Sequence, residues 1–105
     1  MAEAQARLYE GFFLMSQSGL AGDLSAGLEH VQQLIERRGG EVVSLRKWDE
    51  RRLAYEIKGN KRGVYFLAFF KAEARRVGEI ERQCNLSEQI LRALVTRADY
   101  IPAEH

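Results

Sequence analysis

The sequence predicts an α+β domain in the order strand, helix, strand, strand, helix, strand, and three observations carry that prediction. Short β-prone apolar blocks occur at residues 8–15, 43–57, 64–70 and 90–97. Apolar residues recur at three- and four-residue steps over 20–35 and 72–84, the spacing of one helix face. Turn-forming residues stand between the blocks at 16–19, 39–40, 59–63 and 85–87.

Residues 8–15 (LYEGFFLM) have no helical spacing and read as a strand, with Tyr9, Phe13 and Met15 on one face and Leu8, Phe12 and Leu14 on the other. Leu20, Leu24, Leu28, Val31, Leu34 and Ile35 then form one stripe of an amphipathic helix. Arg37 and Arg38 suit the negative end of its dipole, and Gly39-Gly40 supply a left-handed stop. Val43, Leu45, Trp48, Leu53, Tyr55 and Ile57 mark one long bent strand, or two collinear ones, interrupted by Asp49-Glu50. Gly59-Asn60-Lys61-Arg62-Gly63 reads as a hairpin loop before the strand 64–70 (VYFLAFF). Val77, Ile80 and Cys84 stripe the second helix, Asn85-Leu86-Ser87 end it, and 90–97 (ILRALVTR) close the fold as a strand. Such an order is the split βαβ, ferredoxin-like arrangement (βαββαβ), a four-stranded antiparallel sheet with both helices on one face.

Composition fits one domain over residues 1–105, with a core of about 7–98 and a fraying tail from 99 to 105 that holds the single proline, Pro102. No apolar run of about 18 residues is present and the start lacks the layout of a secretion signal, so no membrane span and a cytoplasmic location are expected. The lone cysteine, Cys84, excludes an internal disulfide and reads as a small buried hydrophobe.

Nothing in the chain has catalytic or metal-binding spacing. Its two histidines, His30 and His105, lack partners at ligand distance in sequence, and HExxH, CxxC, GxGxxG and phosphate-loop motifs are all missing. We therefore expect no enzyme, no metal, no cofactor and no small-molecule substrate.

Net charge is only +1 although 30% of residues are charged, and the basic ones come in pairs: Arg37-Arg38, Arg46-Lys47, Arg51-Arg52, Lys61-Arg62 and Arg75-Arg76. The stretch 48–62 (WDERRLAYEIKGNKR) sets Arg51, Arg52, Lys58, Lys61 and Arg62 around Tyr55. A basic rim with an aromatic in its middle suits structured RNA, which proteins read largely through backbone and shape. The same residues also suit a charged, solvated hairpin that blunts an edge strand. On the sheet face away from the helices, Leu8, Phe12 and Leu14 should adjoin Tyr65, Leu67 and Phe69, an apolar patch that points to a protein partner or to self-association. The alternative is a register one residue off, which would make this face the core.

Arg51-Arg52-Leu53-Ala54-Tyr55-Glu56-Ile57, followed by Gly63 and Tyr65, resembles the central signature of bacterial small-subunit ribosomal protein six. Tyr9-Glu10, Gly39-Gly40, Trp48 and Ile90-Leu91-Arg92 fall at that family's spacing, so the resemblance covers about residues 7–98. It implies a ferredoxin-like fold, a structural role in the small ribosomal subunit, binding to the central domain of small-subunit rRNA, and a heterodimer with ribosomal protein eighteen. Carried over by position, Arg51, Arg52, Lys58, Arg92 and Arg97 become candidates for RNA or partner contact. Glu56 stands where the family usually has proline, and the tail after Asp99 is short. Outside that family, a stand-alone ferredoxin-like module that self-associates or senses a ligand is the rival expectation.

Overall fold

The structure is a computed structural model, and it describes residues 6–16 and 24–101. Strand β1 spans Ala6–Ser16, helix α1 Leu24–Glu36, β2 Glu41–Ile57, β3 Asn60–Glu73, α2 Ala74–Leu86 and β4 Ile90–Arg97. All strand pairs are antiparallel in the order β2-β3-β1-β4. This is the expected βαββαβ sheet, with the element types in the expected sequence.

Alternation along the two central strands decides what each face does. Tyr9, Phe13 and Met15 of β1 and Val64, Phe66, Ala68, Phe70 and Ala72 of β3 point to the helices, where they pack with Val31 and Ile35 of α1 and with Ile80 and Cys84 of α2. Ala93 of β4 closes that core at its edge. Gly11 keeps it open where rings meet: a Cβ there would come within 2.6 Å of the Phe13 ring and 3.4 Å of Phe70. Cys84 is buried as its stripe predicts, and burial, aided by the Glu81 carboxylate, pushes its thiol up to about 12.

Helix α1 ends as Gly39-Gly40 foretell. Gly39 has φ +90°, its N–H donates to Glu36 O, and the Gly40 N–H donates to Ile35 O at 3.0 Å, the paired bonds of a Schellman stop. Arg37 and Arg38 fall in this turn, just beyond the helix. The expected turn at 16–19, apart from Ser16, and the helix residue Leu20 lie outside the described residues, as do Pro102 and His105.

Two expected boundaries are corrected. The hairpin turn is Lys58-Gly59, with φ of 50° and 80°, so Asn60 to Gly63 belong to β3. Two consecutive left-handed residues match the twist of the flanking strands better than a five-residue loop. Strand β3 runs on through Glu73 because Ala72 still alternates onto the core and pairs with Arg7; helix α2 therefore starts at Ala74. Of the two readings of residues 43–57, the one long bent strand holds: β2 is a single 17-residue strand whose pairing slips at Val43, at Trp48 and over 53–56.

The two edges of the sheet are finished differently. On β4, the Ala93 N–H donates to Asn85 Oδ1 at 2.9 Å, Asn85 Nδ2 donates to the Ala93 carbonyl at 3.2 Å, and the Val95 N–H donates to Glu81 Oε2 at 2.8 Å. Side chains of α2 thus occupy backbone groups that an added strand would need. Edge strand β2 instead breaks its own pairing and arches away at 53–56.

Candidate nucleic-acid interface

On the face without helices, register lines the side chains up in rows across the sheet. One row reads Arg92, Leu14, Tyr65, Asp49 from β4 to β2, and the next reads Leu94, Phe12, Leu67, Arg46. Leu8, Phe12 and Leu14 therefore do adjoin Tyr65, Leu67 and Phe69 on one face, as alternation predicts. The expected broad apolar patch is nevertheless corrected in extent. Leu14, Leu67 and Phe69 are only 3%, 6% and 1% exposed, and Leu8, Phe12 and Tyr65 are half-buried. The slip of β2 at Trp48 is part of the cause, because it turns the indole over the sheet to meet Phe12 and Tyr65 edge-on, at ring distances of 5.5 and 5.9 Å. What remains open is Trp48 itself at 43% and Leu94 at 54%.

Arg51 is held in place on that aromatic cluster. Its guanidinium lies 5.3 Å from the Trp48 ring centre, and its Nε donates to Asp49 Oδ2 at 2.5 Å. The same bond draws the Asp49 carboxyl below the usual carboxylate range, with the Glu50 N–H and Lys47 assisting. That bond uses the Nε–H, one of the five donors of Arg51, and the four N–H donors of the two terminal nitrogens take no part in it.

Beyond Arg51 the β2 arm borders a hollow of 260 Å³, lined by Arg51, Arg52, Leu53, Ala54, Tyr55, Ile57, Tyr65 and Arg92. Tyr65 comes from central strand β3, Arg92 from β4, and Tyr55, 64% exposed, from the arm. Lys58 at the turn reaches back to β4, where its Nζ donates to the Ile90 carbonyl at 3.3 Å. Asn60 ties the hairpin to β1 by accepting a 2.6 Å bond from Ser16 Oγ. Lys61 and Arg62 are exposed at the start of β3, and Arg62 sits directly opposite Arg52 in the pairing. Glu56 borders a second, shallower hollow with Arg52 and Lys61 and is not among the residues that line the one beside Arg92.

The structure thus gathers Arg51, Arg52, Lys58, Lys61, Arg62 and Arg92 at the hairpin end of the sheet. Arg97 is placed elsewhere: it pairs with Tyr9 at the opposite end and alternates onto the helix side. Sequence reasoning left Trp48 without a site role, and its contacts with Phe12, Tyr65 and Arg51 depend on a β2 slip that no spacing rule reveals. Nor did grouping of basic residues separate the engaged from the available. Lys47 pairs with Glu50 at 2.9 Å, Arg75 with Glu73 at 2.5 Å and Arg82 with Glu79 at 3.5 Å, whereas Arg52 and Arg92 have no ion-pair partner among the described residues.

A model of the family described as ribosomal protein S6 matches residues 8–97. The chain belongs to the ribosomal protein S6 family. It is 39% identical over 93 residues to the small ribosomal subunit protein bS6 of Heliobacterium modesticaldum, covering 89% of this chain and 97% of that one. The bS6 protein of Helicobacter hepaticus is 36% identical over 91 residues, which cover 87% of this chain and 66%, just under two thirds, of the longer relative. Among solved structures, the 30S ribosomal protein S6 of Thermotoga maritima superposes with a TM-score of 0.74 at 25% identity, covering 90% of this chain and 89% of the other. The C-terminal domain of the MgtC protein of Mycobacterium tuberculosis shares the fold at a TM-score of 0.59 and 8% identity, covering 98% of each chain. Membership places the protein among structural, non-catalytic constituents of the bacterial small ribosomal subunit, in the cytoplasm. No helix among the described residues is long and apolar enough to cross a membrane.

Proposed function

We propose that this S6-family protein binds the central domain of small-subunit rRNA through the hairpin end of its sheet and does so together with ribosomal protein eighteen. The observation that carries the reading is the placement of cations there. Arg52 faces Arg62 across the hairpin, and Arg92 faces the hollow from the other edge strand. A polyanion laid across this end of the sheet meets cations from β2, β3 and β4 at once. Lys58, Lys61 and Arg51 lie in the same region, while Arg97 would act as a separate contact at the far end. Leu94, Trp48 and the half-buried Leu8 and Phe12 offer the apolar surface for the protein partner, with Leu14, Leu67 and Phe69 supporting them from beneath and Tyr65 at the border with the hollow.

Filter binding of a central-domain rRNA fragment to the full chain, with and without ribosomal protein eighteen, tests both halves. Affinity is expected to fall steeply with salt and to rise when the partner is added. Arg92→Ala should lower the salt slope by about one phosphate contact. Salt-independent binding would sink the RNA half, and no gain from the partner would sink the other.

A further inference from the structure

We propose that the hollow between the β2 arm and β4 takes one unstacked nucleotide of a single-stranded RNA segment, its phosphate held by Arg51 and Arg92 and its base laid against Tyr55 and Tyr65. The inference rests on the RNA reading above and narrows it to one site and one kind of RNA.

Four observations converge on this occupant. The lining residues supply three guanidinium groups, and the Asp49 carboxylate on Arg51 offsets one of them, so the balance still favours an anion. Arg51 is already oriented by Asp49 and by the Trp48 ring, with its two terminal nitrogens left for a forked contact, and such preorganisation lowers the entropic cost of binding. Arg92 brings a second fork from the opposite side, without an ion-pair partner among the described residues. Two phenol rings line the same hollow, one of them mostly exposed on an arm that has left the ladder, and an aromatic surface beside a phosphate site is what an extruded base stacks on.

Size narrows the choice further. At 260 Å³ the hollow lies just below the range of about 300–1,000 Å³ that encloses a whole drug-sized ligand, so it suits a fragment of a larger chain. Duplex RNA keeps its bases stacked inside the helix and offers nothing for the two rings to hold. A basic partner protein would be repelled by the arginines. Phosphate with an adjoining free base also occurs in a mononucleotide, and the experiment separates the two sources.

The test uses the full chain and the fluorescence of Trp48, which lies beside Arg51 and Tyr65. It is titrated with hexauridylate, a blunt RNA duplex, uridine monophosphate and inorganic phosphate at one fixed salt concentration. Hexauridylate is expected to bind best. Tyr55→Leu should weaken it at least fivefold more than it weakens the duplex, as loss of one base stack predicts. Arg92→Gln should weaken both RNAs, and Arg92→Lys should restore only part of the loss because lysine cannot fork. Thermal melts of each variant confirm that the fold is intact, and both positions are exposed. Equal losses for single strand and duplex in Tyr55→Leu would overturn the inference, as would mononucleotide binding as tight as the hexamer's. So would a Tyr55→Leu defect seen only with ribosomal protein eighteen. If wild-type protein binds the rRNA fragment but Tyr55→Leu leaves hexauridylate unaffected, this inference fails alone; if wild type binds no RNA, the broader reading fails with it.

Discussion

Strands β4 and β2 are the two edges of one sheet, yet they treat their unpaired backbone in opposite ways. β4 is eight residues long, and its outward groups at Ala93 and Val95 are taken up by Asn85 and Glu81 of helix α2. β2 is 17 residues long, slips at three places, and carries Trp48 and Tyr55 where the slips occur. At the capped edge, polar side chains finish hydrogen bonds of the fold itself. Along the slipping edge the pairing itself is interrupted, and most of the residues proposed to meet RNA lie there, Arg92 of β4 apart. Regular pairing fixes direction by alternation, so a residue can leave its assigned face only where pairing breaks.

Removing the cap from β4 should have the largest effect on stability. Asn85→Ala strips the Ala93 N–H and carbonyl of their partners at once, at an expected cost of about 1–3 kcal/mol. Chemical denaturation measures that loss. An edge deprived of its cap is also a template for strand addition, so the variant should self-associate more than wild type in light scattering. An unchanged midpoint and no more self-association than wild type would show that the two edges are less different than their hydrogen bonds indicate.

At the slipping edge a comparable backbone insult should cost less and act elsewhere. Gly59 has φ +80° with open space around it, so Gly59→Ala meets only the left-handed penalty, roughly 1 kcal/mol. RNA affinity should fall with it, because the turn sets where Lys58 meets Ile90 and hence how the arm lies over the hollow. Arg51→Ala should be nearly silent in stability, since Asp49 and Arg51 are exposed and such ion pairs contribute about 0–1 kcal/mol. Its effect is expected in RNA binding, and a melting-temperature drop as large as that of Asn85→Ala would argue that Arg51 is structural.

The same contrast explains what could be read from the residues in advance. Wherever the ladder is regular, alternation placed side chains correctly: Phe13, Phe66 and Phe70 inside, Phe12 and Tyr65 on the open face. Gly39-Gly40 announced a helix stop because few other residues accept that turn. The hairpin misled because Gly63 looked like its end, whereas Gly63 is a buried strand residue against Leu14 and the left-handed residue preceding Gly59 is a lysine. Exposure of Leu14, Leu67 and Phe69 was overestimated because the slip that brings Trp48 across the face leaves no mark on apolar spacing. Which arginines lack ion pairs depends on contacts such as Lys47 with Glu50, and those follow from the folded register.

The smallest expected effect concerns how the capped edge is anchored at its start. His30 of α1 shares a 2.9 Å hydrogen bond with Ser87, whose Oγ also accepts the Gln89 N–H in the turn that leads into β4. Burial, reinforced by Arg37, lowers the imidazole from its ordinary value near 6.5, so the folded chain favours neutral His30. Below that value the unfolded chain binds the proton more readily than the folded one, and stability therefore rises with pH through this window. The contribution is complete above about 6.5 and is lost as pH falls through the lowered folded value. Melts between pH 7.5 and 5 should show a small decline in wild type that His30→Asn flattens. The decline belongs to the β4 side: binding of hexauridylate at the β2 arm is expected to weaken no more in wild type than in His30→Asn across the same range, and parallel loss of both would mean that the two edges move together.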